Sequence, residues 1–95
     1  MKIFSFFAGV GMLDLGFQEA GYEVVFVNEY KQEFMNAYRY ARRGRNYNQP
    51  VYGYHVTDIN YFLNGIGEHN FQQYINNERH NNELLGVIGG IPCPD

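Results

Sequence analysis

The sequence predicts an α/β fold, one small domain in which a parallel sheet is flanked by helices. Two observations carry this. The first 28 residues read as strand, helix and strand, the unit that favours a right-handed crossover onto a parallel sheet. A further run with buried-strand character, LLGVI at 84–88, returns late in the chain. Composition agrees, because 45% hydrophobic and 18% aromatic residues, largely Tyr and Phe, can build a core and argue against disorder. At 95 residues the chain is at most one domain, and it buries a smaller fraction of its surface than a larger one, so marginal stability is expected.

Lys2 to Phe6 (KIFSF) is a short apolar run suited to a buried strand, and AGVG after it supplies the glycines of a tight turn. Met12 to Ala20 has helical spacing, with Met12 and Leu15 on one stripe and Leu13, Phe17 and Ala20 on its neighbour, before Gly21 offers a left-handed stop. Tyr22 to Asn28 (YEVVFVN) reads as a second strand because its centre is β-branched and aromatic. Lys31 to Arg43 reads as a second helix ended by Gly44, with Phe34, Tyr38 and Ala41 on one face. Arg39, Arg42, Arg43 and Arg45, interleaved with tyrosines, are expected to form a solvated helix end whose cations complement the dipole. The Tyr- and Asn-rich stretch 46–56 is expected to hold a short third strand running into Thr57, Asp58 and Ile59. Residues 69–82 are mostly polar and read as a solvated surface insertion with a short helix over Phe71 to Ile75. No internal repeat or long linker divides the chain.

A formal net charge of −3 lacks the basic excess of a module that grips nucleic acid by its phosphates alone. The single cysteine excludes an internal disulfide and a multi-cysteine zinc site, which favours a reducing, cytoplasmic setting. His55, His69 and His80 have no metal-ligand spacing with one another or with Cys93, so no metal is expected. The opening MKIFSFFAGVGML is not read as a signal peptide, since Asp14 interrupts it and it continues directly into a helix. No apolar stretch is long enough to span a bilayer, so no membrane partner is expected.

In open α/β sheets, ligands bind beyond the carboxyl ends of the strands. Three loops are expected there. Phe7 to Gly11 (FAGVG) lets the backbone turn tightly and approach a ligand. In Asn28-Glu29-Tyr30, about twenty residues later, a carboxylate can accept both hydroxyls of a ribose and a ring can stack on a base. In Thr57-Asp58-Ile59 an acid can accept from an exocyclic amine. Their ordered recurrence points to an adenosine-containing ligand. A dinucleotide fingerprint is incomplete, because Asp14 stands where the third glycine belongs, and an acid in the first helical turn is expected to repel a diphosphate. No phosphate-binding P-loop motif occurs. The last loop, GGIPCPD, holds Cys93 between Pro92 and Pro94 after a core strand, a restrained placement that favours a nucleophile over a small buried hydrophobe.

The stretches FSFFAGVGMLDLGFQEAGYEVVFVNEY, TDI and GGIPCPD, in this order, resemble the opening motifs of the DNA (cytosine-5)-methyltransferases, which use S-adenosylmethionine. The resemblance spans nearly the whole chain. It implies a Rossmann-like parallel sheet flanked by helices, the S-adenosylmethionine-dependent methyltransferase fold, here incomplete. It also implies that Phe7, Ala8, Gly9 and Gly11 surround the cofactor, Glu29 accepts the ribose, Tyr30 packs on the adenine where the family often has Trp, Asp58 accepts from the adenine amino group, and Ile59 lines the ring. Pro92 would orient the last loop, and Cys93 would attack C6 of a cytosine flipped out of the duplex.

Two departures are local. Met12 stands where a further glycine is frequent, and Ile91-Pro92-Cys93-Pro94 replaces the common Pro-Pro-Cys-Gln. The family's Glu-Asn-Val motif, its arginine motif and its target-recognition region have no counterpart among these residues. The expectation is therefore the N-terminal part of a single catalytic domain, residues 1–95, as a fragment or split half that needs a complementary polypeptide to act on double-stranded DNA. The alternatives are a non-catalytic cofactor- or partner-binding subunit, a related tRNA cytosine-5 methyltransferase, and a dinucleotide-dependent oxidoreductase domain that the glycine spacing disfavours.

Overall fold

The structure, a computed structural model, describes residues 2–6, 8, 9, 11–80 and 85–89. Among these, strands β1 (Lys2–Phe6), β2 (Glu23–Glu29), β3 (Tyr54–Val56) and β4 (Leu85–Gly89) form one sheet in the order β3-β2-β1-β4, with every pairing parallel. Helix α1 (Met12–Glu19) joins β1 to β2, and α2 (Gln32–Tyr40) joins β2 to β3. A short α3 (Asn60–Leu63), unforeseen in the sequence, and α4 (Glu68–His80) connect β3 to β4. The expected α/β parallel architecture is thus observed, with strand ends within two residues of those read from the apolar runs.

Two clusters fill the two faces of the sheet. Ile3, Val24 and Val27 pack with Met35 and Tyr38 of α2 and the partly buried Phe17 of α1. Phe4, Phe6, Val25 and Phe26 pack with Phe62 of α3 and Phe71 of α4. The second face is an aromatic lattice: Phe26 meets Phe62 edge-on at 5.1 Å, and Phe4 and Phe6 meet Phe71 edge-on at 5.8 and 5.6 Å. Such edge-to-face pairs add to the transfer energy of the buried rings.

Strand β2 departs from strict alternation. Ile3 pairs with Val24 but Phe4 with Phe26, so Val25 is an extra residue, and Val25 and Phe26 both enter the aromatic cluster. A bulge of this kind shifts the parity of everything after it. Glu29 consequently shares the α1 and α2 face with Val27.

Three sequence expectations are corrected. Helix α2 stops at Tyr40, so of the four arginines only Arg39 is helical, and it buries Met35 and Tyr38, while Phe34 and Ala41 are exposed. Helix α1 is rotated from the expectation: Met12 and Leu13 are exposed and Asp14 and Gln18 face inward, while Phe17 packs on the core. The polar segment after His69 belongs to a 13-residue helix whose Phe71 and Glu78 are buried, with Tyr74 and Ile75 packed against the core. One inward residue per turn suffices for a packed helix, and the Asn and Gln residues occupy its wet side. Glu78 accepts from the Tyr52 hydroxyl at 2.8 Å and lies 3.6 Å from the Lys2 ammonium, fastening α4 to β1 and to the approach to β3.

Among the described residues no helix is long and apolar enough to cross a membrane. If α4 is part of the core, Phe71→Ala should cost about 3–5 kcal/mol. Urea unfolding would measure this, and a loss below about 1 kcal/mol would return the segment to the surface.

Candidate active site

The carboxyl ends of β1, β2 and β3 lie side by side, and their loops are stitched together by main-chain bonds. Ala8 N–H donates to the Asn28 carbonyl at 3.0 Å, and Thr57 N–H to the Glu29 carbonyl at 3.2 Å. The Asn28 side-chain amide donates to the Thr57 carbonyl at 2.9 Å, so Asn28 holds the first loop with its backbone and the third with its side chain.

Glu29, only 7% exposed, is the centre of this arrangement. One carboxylate oxygen accepts from Gly9 N–H and the other from Lys31 N–H, both at 2.8 Å. A carboxylate has about four lone-pair sites, so each oxygen retains capacity for one further donor. Tyr30 beside it is 66% exposed. Asp58 is exposed, and its Oδ1 accepts from Asn60 N–H at 2.8 Å, starting α3. Ile59 is half-buried against the aromatic cluster.

Within the first loop, Gly9 has φ +58° with open space where a Cβ would sit, whereas Gly11, at φ +86°, lies directly over Tyr38. A methyl group on Gly11 would come within 2.5 Å of the Tyr38 ring. Ala8, Gly9, Gly11, Glu29, Tyr30, Asp58 and Ile59 therefore stand along one edge of the sheet. Phe7, Pro92 and Cys93 lie outside the described residues, although β4, which precedes the Cys93 loop, pairs beside β1 in register Ser5 to Ile88. Among the described residues no group of three His, Cys, Asp or Glu side chains is placed to hold a metal.

The sequence reading missed a buried polar unit beneath this edge. The Tyr38 hydroxyl donates to Asp14 at 2.6 Å, and Asp14 is 2% exposed. Arg42 donates to the Gly11 carbonyl, the Gln18 amide oxygen and the Tyr38 carbonyl, each at 3.0 Å, and its guanidinium covers the Tyr38 ring at 3.6 Å. Arg42 is thus a structural brace rather than a solvated cation. Asp14 is turned inward and does not face a ligand at the turn, which removes the repulsion expected of it. A signal was present in the pairs Asp14/Gln18 on α1 and Tyr38/Arg42 at the C-terminal end of α2, each spaced by four residues.

Burial pushes the Asp14 carboxyl above the usual aspartate range, outweighing the Tyr38 hydrogen bond, the Arg42 charge and the Ser5 hydroxyl. Ser5 makes no well-formed hydrogen bond of its own, but it lies near enough to favour the ionised carboxyl. Burial, with Asp14 beside it, also raises the Tyr38 phenol, which stays protonated and remains a donor.

The family model for C-5 cytosine-specific DNA methylase matches residues 1–95. The chain belongs to that family. Among curated relatives of this methylase chain, the Type II methyltransferase M.NmeDI of Neisseria meningitidis serogroup C is 41% identical over 93 residues, 98% of this chain and 22% of the relative. The Type II methyltransferase M.NgoPII of Neisseria gonorrhoeae is 34% identical over 93 residues, 98% of this chain and 21% of its own length. The Type II methyltransferase M.HgiDI of Herpetosiphon aurantiacus is 30% identical over 95 residues, 100% of this chain and 25% of its own length. The methylase chain therefore spans about a fifth to a quarter of the curated relatives it matches. No solved structure matches it significantly.

The two glycines should respond differently to alanine. Gly9→Ala should cost roughly 1–2 kcal/mol of stability, the left-handed penalty alone. Gly11→Ala adds overlap with Tyr38 and should cost clearly more, about 3 kcal/mol or above. Equal losses in urea unfolding would contradict the packing of Tyr38 under the turn.

A second expectation concerns pH. Because the folded pKa of Asp14 is raised above its unfolded value of 3.8, the contribution of this group is fully present below that value and is lost as pH rises through the folded pKa. Asp14→Asn removes this dependence. The stability difference between wild type and variant should shift in favour of wild type as pH falls from about 7 to about 4. A difference that is flat with pH in urea titrations would show that the carboxyl is not perturbed.

Proposed function

We propose that this chain forms the cofactor cradle and carries the nucleophile of an enzyme that methylates C5 of cytosine in double-stranded DNA, using S-adenosylmethionine. The observation that carries this reading is the alignment of the Gly9 turn, Glu29 and Asp58 at the carboxyl ends of three adjacent parallel strands, in a chain of the C-5 cytosine methylase family.

The residues fit the cofactor on three counts. Gly9 is left-handed, with unfilled space on the side where any larger residue would project. Glu29 keeps acceptor capacity on both oxygens after binding the two amides, which suits a pair of ribose hydroxyls. Two acids at the edge, buried Glu29 and exposed Asp58, suit a ligand carrying positive charge. S-adenosylmethionine supplies, when bound, an electrophilic methyl group on a sulfonium centre.

Each residue has an assigned task. Ala8, Gly9 and Gly11, with Phe7, shape the turn around the cofactor; Glu29 binds the ribose; Tyr30 and Ile59 flank the adenine; Asp58 uses its second oxygen to accept from the adenine amino group. Pro92 orients the loop of Cys93. The Cys93 thiolate forms a bond to C6 of the cytosine, which raises electron density at C5. After C5 has gained its methyl group, loss of the C5 proton restores the double bond and expels the thiolate. We assign protonation of the ring and recognition of the DNA sequence to a complementary polypeptide segment, residues 1–95 being the N-terminal part of one catalytic domain.

Calorimetric titration tests the cradle. S-adenosylmethionine should bind saturably and in preference to NAD, and Glu29→Ala, shown by circular dichroism to be folded, should weaken binding at least tenfold. Preference for NAD would reverse the reading. The nucleophile is tested in the protein that carries this chain, with its complementary segment present: DNA containing 5-fluorocytosine should become covalently attached. Cys93→Ala should abolish attachment but keep cofactor binding, and methyl transfer by that variant would remove Cys93 from its role.

A further inference from the structure

The Gly11 end of the turn is gripped by groups that the proposed chemistry does not use. The Tyr38 ring occupies the space under Gly11, and Arg42 donates to the Gly11 carbonyl at 3.0 Å. That same carbonyl accepts from Leu15 N–H at 2.9 Å in the first turn of α1. Asp14, on that turn, accepts from the Tyr38 hydroxyl, and the Arg42 guanidinium stacks over the ring. The backbone of the turn is therefore clamped between two helices by contacts with defined directions.

We propose that Tyr38, Arg42 and Asp14 are positioning residues that hold the Gly11 backbone in its binding conformation before S-adenosylmethionine arrives, and so set cofactor affinity without touching the cofactor. The inference rests on the cofactor reading above. Its physical basis is entropic. Glycine loses more conformational freedom on ordering than any other residue, and a turn with two left-handed glycines, left unclamped, would be ordered at the ligand's expense. Stability alone does not require this arrangement, because well-packed apolar residues often replace a buried ionic unit without loss. Directional bonds instead select one geometry for the Gly11 carbonyl and one position for the ring beneath it. Asp14 is expensive to bury and sits three residues from the turn, where its acceptor oxygen dictates where the Tyr38 ring can lie.

The test uses the protein that carries this chain. Tyr38→Phe removes the hydroxyl and keeps the ring, and Arg42→Met removes the bond to the Gly11 carbonyl at a partly exposed position. Each should raise Kd and KM for S-adenosylmethionine about tenfold, with KM for DNA and kcat at saturating cofactor within about twofold of wild type. Asp14→Asn, whose amide oxygen still accepts from Tyr38, should stay within about threefold in cofactor affinity. Without ligand, amide hydrogen exchange at Gly11 should quicken in both impaired variants and not in Asp14→Asn. A purely structural role would instead lower thermal stability and leave the cofactor Kd of the folded fraction unchanged. If wild type binds the cofactor and folded Arg42→Met and Tyr38→Phe bind it equally well, the positioning role is overturned alone. If wild type fails to bind S-adenosylmethionine at all, the cofactor reading is overturned and this role falls with it.

Discussion

The buried carboxylate of Glu29 joins what would otherwise be separate loops. It ends β2, receives the Gly9 amide from the loop after β1 and the Lys31 amide at the start of α2, and so fixes both relative to the sheet. Three features upstream make this possible. The sheet is parallel, so the strand ends converge on one edge. β1 and β2 are neighbours, so the two loops are in reach of each other. The extra residue Val25 sets the parity that turns Glu29 toward the α1 and α2 face. After binding two amides the carboxylate keeps lone pairs for a ligand.

The two faces of the sheet are held by different physics. On one, rings from β1, β2, α3 and α4 interlock with little polar content apart from His55, which stacks on Phe26 at 4.9 Å, and Glu78 at the margin. On the other, aliphatic side chains of the strands meet Met35 and Tyr38, and beyond them α1 meets α2 and the turn after it through Asp14, Gln18, Tyr38 and Arg42. The ligand loops rise from the ends of strands covered by this second face. A shape-determined core and a direction-determined seam thus lie on opposite sides of the same four strands, and the seam lies next to the glycine turn.

Family membership and local geometry contribute separately to the functional reading. The match over residues 1–95 places the chain among the C-5 cytosine methylases, and the chain covers 22% of the length of the first relative. Geometry adds what a motif cannot: Gly9 and Gly11 look equivalent in FAGVG, yet one faces open space and the other a tyrosine ring. Asp58 and Glu29 are both acids after strands, yet one is exposed and the other buried with both oxygens engaged.

Much of the architecture was legible in the chain itself. Runs such as KIFSF and EVVFV carry their strand character locally, glycines mark the turns, and the strand-helix-strand order restricts the connection to a right-handed parallel crossover. The order of FAGVG, NEY and TDI after successive strands likewise places these loops along one edge of a parallel sheet. Helix orientation was decided in three dimensions. Asp14 inside and Met12 outside contradict hydropathy, because the Tyr38 hydroxyl, 24 residues away in sequence, donates to the buried carboxyl. The polar helix α4 joined the core because Phe71 meets rings from two strands, and no local pattern shows that such rings will be waiting. Local periodicity determines which elements form. The partners that satisfy a buried polar or aromatic group are distant in sequence, so only the folded chain decides which face each element buries.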